Sequence, residues 1–277
     1  MRSVAQNAQL ALLLEVTSTP KPGNVDRERD YPDLRFEHFV TGAVGAYDGL
    51  AIAGDGGAVG NAFERAIAGM SDQEGGNTQF GAILLVTPLA IAAVDGDLSP
   101  EGARAVAEST TVEDAVDFYR AFDHVGVAVD EPPEELSAPD VRRGSDAAPD
   151  IREQGLTLYD VLAESANVDG LAAEWTSGFP RTFETARRIE ARDGPVADRA
   201  AAVFLELLAE EIDTFVVTQH DMETAREVQR RAQAALDGEE SVRSLAAEFV
   251  EREINPGTTA DLITGGIFIA LERGIEL

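Results

Sequence analysis

The stretch 77-NTQFGAILLVTPLAIAAV-94 decides the architecture. It is apolar almost all round, and a helix without a polar face has to be enclosed by protein. Its uninterrupted apolar run falls short of the roughly 18 residues that span a bilayer. It therefore reads as a buried central helix, beginning near Asn77. Its neighbours on both sides are amphipathic. Residues 2–17 put Val4, Ala8, Leu12 and Val16 on one stripe, until Pro20-Lys21-Pro22-Gly23 ends the helix. Segments 36–53 and 58–70 follow, separated by the turn AGDGGAVG. Ser99 is an N-cap ahead of Pro100 at the first helical position, and Thr111 precedes first-turn acids in TTVEDAVDFYRAF. Helical pattern resumes at 156–177, 180–192, 194–212, 220–236 and 239–253, and a last helix follows NPGTTADL. Alternating strand patterns and internal repeats are missing. The expected fold is all-α, one domain over 1–277, with about twelve helices around the buried central one. Residues 129–153, rich in proline and acid, are expected to form a long loop, either a lid or a surface excursion.

Composition narrows the function classes. The chain has 51 acidic and 22 basic residues, a formal net charge of −29, yet 44% of its residues are hydrophobic, too many for a disordered chain. The acids fall on the solvent faces of amphipathic segments. Lysine is almost eliminated in favour of arginine: Lys21 is the sole one. This pattern suits a halophile's cytoplasmic protein, since at molar salt the Debye length of roughly 3 Å screens self-repulsion. It argues against nucleic acid as a partner. The absence of cysteine excludes disulfides, thiolate zinc and a cysteine nucleophile. The first residues lack a signal peptide's basic region and cleavage site, and no membrane segment is expected. His38, His124 and His220 have no metal-binding spacing. The metal chemistry left is that of oxygen ligands, carboxylates holding Mg²⁺ beside substrate phosphates.

Four polar islands interrupt the helices, each at a helix end. The first is 15-EVTSTPKPGNVD-26, in which two prolines stiffen the backbone around Lys21 and Gly23 permits a close approach. Either the loop only terminates a helix, or the lysine survives because a guanidinium cannot replace it. The second is 72-DQEGGNTQFG-81, where Asn77 and Thr78 open the central helix and either cap it or present an anion site. The third is 210-EEIDTFVVTQHD-221, with Glu210, Glu211 and Asp213 at a helix C-terminus, where carboxylates oppose the dipole unless a cation or ligand compensates. The fourth, 255-NPGTTADL-262, sets Asp261 in the first turn of the last helix.

In this order, in an all-helical chain, the islands resemble the triphosphoribosyl-dephospho-CoA synthase family. The matching strings are EVTSTPKPGNVD, then Asp33 with Phe36 and Phe39, NTQFGAILL, DTFVVTQHDMETAREVQRRA and PGTTADL. The resemblance implies that ATP loses adenine from its ribose C1′ and passes the triphosphoribosyl group to the 2′-hydroxyl of dephospho-CoA. It implies catalytic carboxylates among Glu15, Asp26 and Asp33, for the oxocarbenium-like centre and for deprotonating the acceptor. A polyphosphate clamp would draw on Lys21, Pro22, Gly23, Asn77, Thr78, Gln79, Gly81, Thr214, Gln219 and Gly257, with Mg²⁺ on Asp213 and Asp261. Lys21 would then contact phosphate.

The chain departs from the family pattern at three places. Asn77-Thr78-Gln79-Phe80-Gly81 stands where Asn-Thr-His-Lys-Gly is usual, and Gln219-His220-Asp221 where Arg-Gly-Gly is usual. Tyr31-Pro32-Asp33-Leu34 replaces a His-Gly-Asp-Met-like stretch. The expected site thus loses two positive charges and gains an acid, the mark of a divergent branch whose acceptor is open and whose donor is ATP or a related nucleotide. Trp175, the sole tryptophan, is either a pocket wall or core. Two other readings stand beside transfer: a non-catalytic nucleotide-binding regulator, and an N-ribosyl hydrolase in which water replaces the acceptor. Small hydrophobic helical faces leave a homodimer open.

Overall fold

The computed structural model describes residues 2–127 and 138–277. Among them are sixteen α-helices. The first seven are α1 (Val4–Thr17), α2 (Phe36–Gly45), α3 (Tyr47–Gly54), α4 (Val59–Met70), α5 (Phe80–Val94), α6 (Pro100–Glu108) and α7 (Val112–Ala121). A 3-10 segment, Val141–Ala147, leads into α8 (Ala148–Gln154), α9 (Leu158–Ser165), α10 (Gly170–Ser177), α11 (Pro180–Glu190) and α12 (Val196–Glu210). The chain ends with α13 (Thr214–Gln219), α14 (Met222–Leu236), α15 (Val242–Glu251) and α16 (Gly257–Glu272). No strand occurs among the described residues, only an isolated bridge between Asp26 and Arg29.

The count exceeds twelve for local reasons. The segment 36–53 is interrupted at Ala46, between α2 and α3. The segment 156–177 divides where Asp169 accepts from Leu171 N and Ala172 N and starts α10. Helix α13 has 6 residues, too few to display a period, and is started by Asp213. Part of the expected loop 129–153 is also helical: Pro149 sits in the first turn of α8, and Gly155 closes it in the left-handed conformation. Residues 129–137 of that loop, and with them the lid expectation, lie outside the described residues.

Helix α5 is buried from Ala82 through Ala92, as a helix apolar on all faces must be. It shares the centre with α16, in which every residue from Leu262 to Leu271 is buried and which packs on α1, α5, α11 and α12. Pro88 lies inside α5 and has no N–H to give the Leu84 carbonyl one turn back. The Trp175 indole N–H donates to that carbonyl at 3.2 Å. Trp175 is fully buried, so the sole tryptophan belongs to the core and repairs the helix that proline breaches.

Candidate active site

The ends of α1, α5, α13 and α16 meet around one cavity of about 530 Å³, within the size range of small-molecule sites. Its polar lining includes Glu15, Asn24, Gln79, Thr258 and Asp261. Its apolar wall comes from α5, α7 and α9, with Phe80, Phe118, Phe122 and Leu162. Phe80, which stands where the family usually carries lysine, packs edge-on against Phe63 and Phe122, with centroids 5.0 and 5.1 Å apart. Among the described residues no lysine or arginine lines this cavity.

Lys21 lies outside the lining. It is fully buried, and its ammonium donates to Glu15 Oε1 and, at 3.3 Å, to Asn24 Oδ1. Instead of reaching phosphate directly, it holds a carboxylate that does face the cavity. Burial pushes the Glu15 carboxyl upward, against the opposing pull of Lys21. The loop carrying Lys21 is organised by Asp26. Its Oδ2 accepts from Thr19 Oγ1 (2.8 Å), Lys21 N (3.2 Å) and Arg29 Nη1 (3.1 Å), and its Oδ1 from Glu28 N (2.8 Å). Asp26 therefore serves the loop and does not line the cavity. Pro22 and Gly23 are buried with it. Gly23 has φ +77°, and a Cβ there would stand 2.1 Å from the Ile254 carbonyl oxygen, so the loop docks by backbone contact only glycine allows.

Asp261 approaches the start of α5 from α16. A Cβ on Gly81 would lie 2.0 Å from Asp261 Oδ2, so this glycine makes room for the carboxyl, and the Ala82 N–H lies against it. The expected anion site at the head of the central helix thus already receives one of the chain's own acids. Burial, followed by the charges of Glu15, Asp213 and Asp169, raises the Asp261 carboxyl well above the ordinary aspartate range. Among the described residues no lysine or arginine forms an ion pair with Asp261. Of the five carboxyls in the lining (Glu15, Asp140, Glu164, Asp169 and Asp261), Glu15 and Asp261 stand in unlike settings: Glu15 is joined to an ammonium, and among the described residues Asp261 is joined to none.

The remaining expected residues separate into lining and support. Asn77, Thr78, Gln79, Thr214 and Gly257 line the cavity. Asp213 is buried beneath it: Oδ1 accepts from Phe215 N and Val216 N, and Oδ2 from Thr259 N and Oγ1. The first two bonds cap α13, the other two tie it to α16, and together they occupy the oxygens a metal would need. Asp33 and Gln219 are exposed and apart from the lining. Sequence reasoning missed Asp169, Asn24, Asn255 and the aromatic wall. Asp169 carried a signal, a single aspartate before the glycine that opens α10, whereas Phe118 and Phe122 are indistinguishable from core residues in sequence.

Residues 1–276 match the family described as CitG, ATP:dephospho-CoA triphosphoribosyl transferase. In structure the chain is similar to a candidate triphosphoribosyl-dephospho-CoA synthase from Archaeoglobus fulgidus, at 24% identity and a TM-score of 0.71, covering 87% of this chain and 100% of that one. At that identity the likeness shows the fold. No curated protein matches the chain in sequence.

Proposed function

The chain belongs to the CitG family of ATP:dephospho-CoA triphosphoribosyl transferases, and from that premise we propose how its own residues divide the chemistry. Membership favours transfer over a non-catalytic regulator or a hydrolase. Transfer breaks the bond from ribose C1′ to adenine and forms one from C1′ to the acceptor's hydroxyl oxygen. A proton leaves that hydroxyl, and the departing adenine takes one up. The observation that carries the assignment is the unlike pair of carboxyls facing one cavity. Glu15, paired with the Lys21 ammonium, takes the hydroxyl proton, and its raised proton affinity strengthens it as a base. Asp261, whose carboxyl is pushed toward the protonated form by burial and then by the neighbouring acids, gives its proton to the adenine ring. As positive charge develops on the ribose, the Glu15 carboxylate also stabilises it. Lys21 acts through Glu15 as a positioning residue.

The triphosphate needs compensation that the described lining does not supply. Among the described residues no group of three or more His, Asp or Glu side chains is arranged to hold a metal. That set fits Mg²⁺ only as an ion arriving on the nucleotide and taking a carboxylate from the protein. Asp169 would hold it, since α10 uses only its Oδ1. Bound there, Mg²⁺ offsets phosphate charge. The acid-rich, arginine-only surface supports work at high salt in the cytoplasm. Protein in concentrated KCl with Mg²⁺, given ATP with and without dephospho-CoA, should release adenine only with the acceptor, alongside a product heavier than dephospho-CoA by one triphosphoribosyl group. Adenine release from ATP alone at the same rate would refute the transfer reading.

A further inference from the structure

Resting on that reading of the site, we infer that Gln79 recognises a hydroxyl of the donor nucleotide's ribose and makes no bond to its phosphates. Gln79 is 4% exposed and contributes to the cavity wall. Its Nε2 donates to the Leu12 carbonyl of α1 at 3.1 Å. This bond fixes the amide: the opposite flip would press two carbonyl oxygens together. Oε1 is thereby turned away from Leu12, and among the described residues it is buried with no hydrogen-bond partner. A buried acceptor left alone costs stability. Thr78 Oγ1, the adjacent side chain, is unpartnered too.

The chemistry of the missing partner follows from the atom. Oε1 can only accept, and ionised phosphate can only accept, so the two repel. The partner must be an O–H or N–H. Gln79 is bonded to Leu12 on α1, one turn before Glu15, and both Gln79 and Glu15 line the cavity in which the ribose reacts. The ribose 2′- and 3′-hydroxyls are the donors nearest C1′. A fixed carbonyl there orients the sugar ring. It also places the polyphosphate on another part of the cavity, in keeping with the exchange of His-Lys for Gln-Phe at 79–80.

The test compares wild type with Gln79→Met, which keeps length and removes the acceptor, using ATP, 2′-deoxy-ATP and 3′-deoxy-ATP. Wild type should prefer ATP over at least one deoxy analogue by about tenfold or more in kcat/KM. Gln79→Met should lose activity on ATP while its activity on that analogue stays within about threefold, so the preference collapses. Equilibrium binding of the same nucleotides without acceptor should show the same pattern. Inorganic tripolyphosphate should bind both proteins alike. Should Gln79→Met fail to fold, Gln79→Leu also removes the acceptor with an apolar side chain and should show the same collapse of the preference. The inference is overturned if wild type does not distinguish the deoxy analogues, if Gln79→Met weakens all three nucleotides equally, or if it weakens tripolyphosphate. The binding arm stands even where no adenine is released, so failure of the transfer reading and failure of this one are separate results.

Discussion

Two groups of polar side chains stand at the same end of this helical protein in opposite conditions. In the loop after α1, Asp26 takes four neighbours, Lys21 is shared by Glu15 and Asn24, and Gly23 locks against Ile254. At the start of α5 the reverse holds. Among the described residues, Gln79 Oε1 and Thr78 Oγ1 are buried without partners, and Asp261 lies among other acids with no ion pair to a cation. The first group resembles a folded core rendered in polar atoms, and the second resembles half of an interface. Proteins satisfy nearly all buried polar groups, so the half left open is where substrate chemistry belongs.

The largest effect should come from the open half. Asp261→Asn, close in shape and unable to give a proton, should lower kcat for adenine release by about a hundred- to ten-thousandfold with the fold retained. Its pH behaviour has a definite sign. A carboxyl raised in the folded state stabilises the fold fully below the ordinary aspartate range, and this contribution is lost as pH rises through the raised value. Wild type should therefore lose melting temperature above the ordinary range more steeply than Asp261→Asn. Parallel melting curves would show that Asp261 does not hold its proton.

The closed half should respond in stability. Lys21→Met strands the Glu15 charge in the interior, a loss of about 3–5 kcal/mol for a broken buried pair. Lys21→Met with Glu15→Gln should recover most of it, because both charges are then gone. Denaturant unfolding of the two variants checks this, and a single variant as stable as wild type would break the comparison. Asp26→Asn should cost less, about 1.5–3 kcal/mol for weakened charge-assisted bonds, while kcat per folded molecule stays unchanged. A large fall in kcat there would place Asp26 in the chemistry after all.

Much of this was legible beforehand, and what was not has physical reasons. The caps at Ser99 and Thr111 and the all-apolar α5 are local signals, and each stands where expected. Helices α8 and α13 are too short for a hydrophobic period to show. The rarity of lysine marked Lys21 as a position with a special requirement. Which group meets that requirement depends on how the loop folds back on α1, and spacing along the chain does not carry that. The four islands did locate the cavity, since its lining draws on all of them. They could not say which acids would face it: Asp213 turned toward Thr259 and Asp26 toward its own loop, leaving Glu15 and Asp261.

Helix α5 contains both conditions in one element, which permits the finest test. At its head an acceptor is open, on Gln79, and one turn inside, at Leu84, an acceptor freed by Pro88 is closed by Trp175. Leu84 also contributes to the cavity wall, so nearness to the cavity alone does not explain why one is satisfied and the other is not. Trp175→Phe keeps most of the buried ring and removes only the N–H. It would create a second orphan acceptor a few residues from the first, this time with no substrate group placed to meet it. The expected loss is about 1–3 kcal/mol, read as a lower denaturation midpoint that ATP binding leaves uncorrected beyond its effect on wild type. If ATP instead restored Trp175→Phe fully, the Leu84 carbonyl would be within reach of ligand, and the boundary between the closed and open halves would have to move one turn into α5.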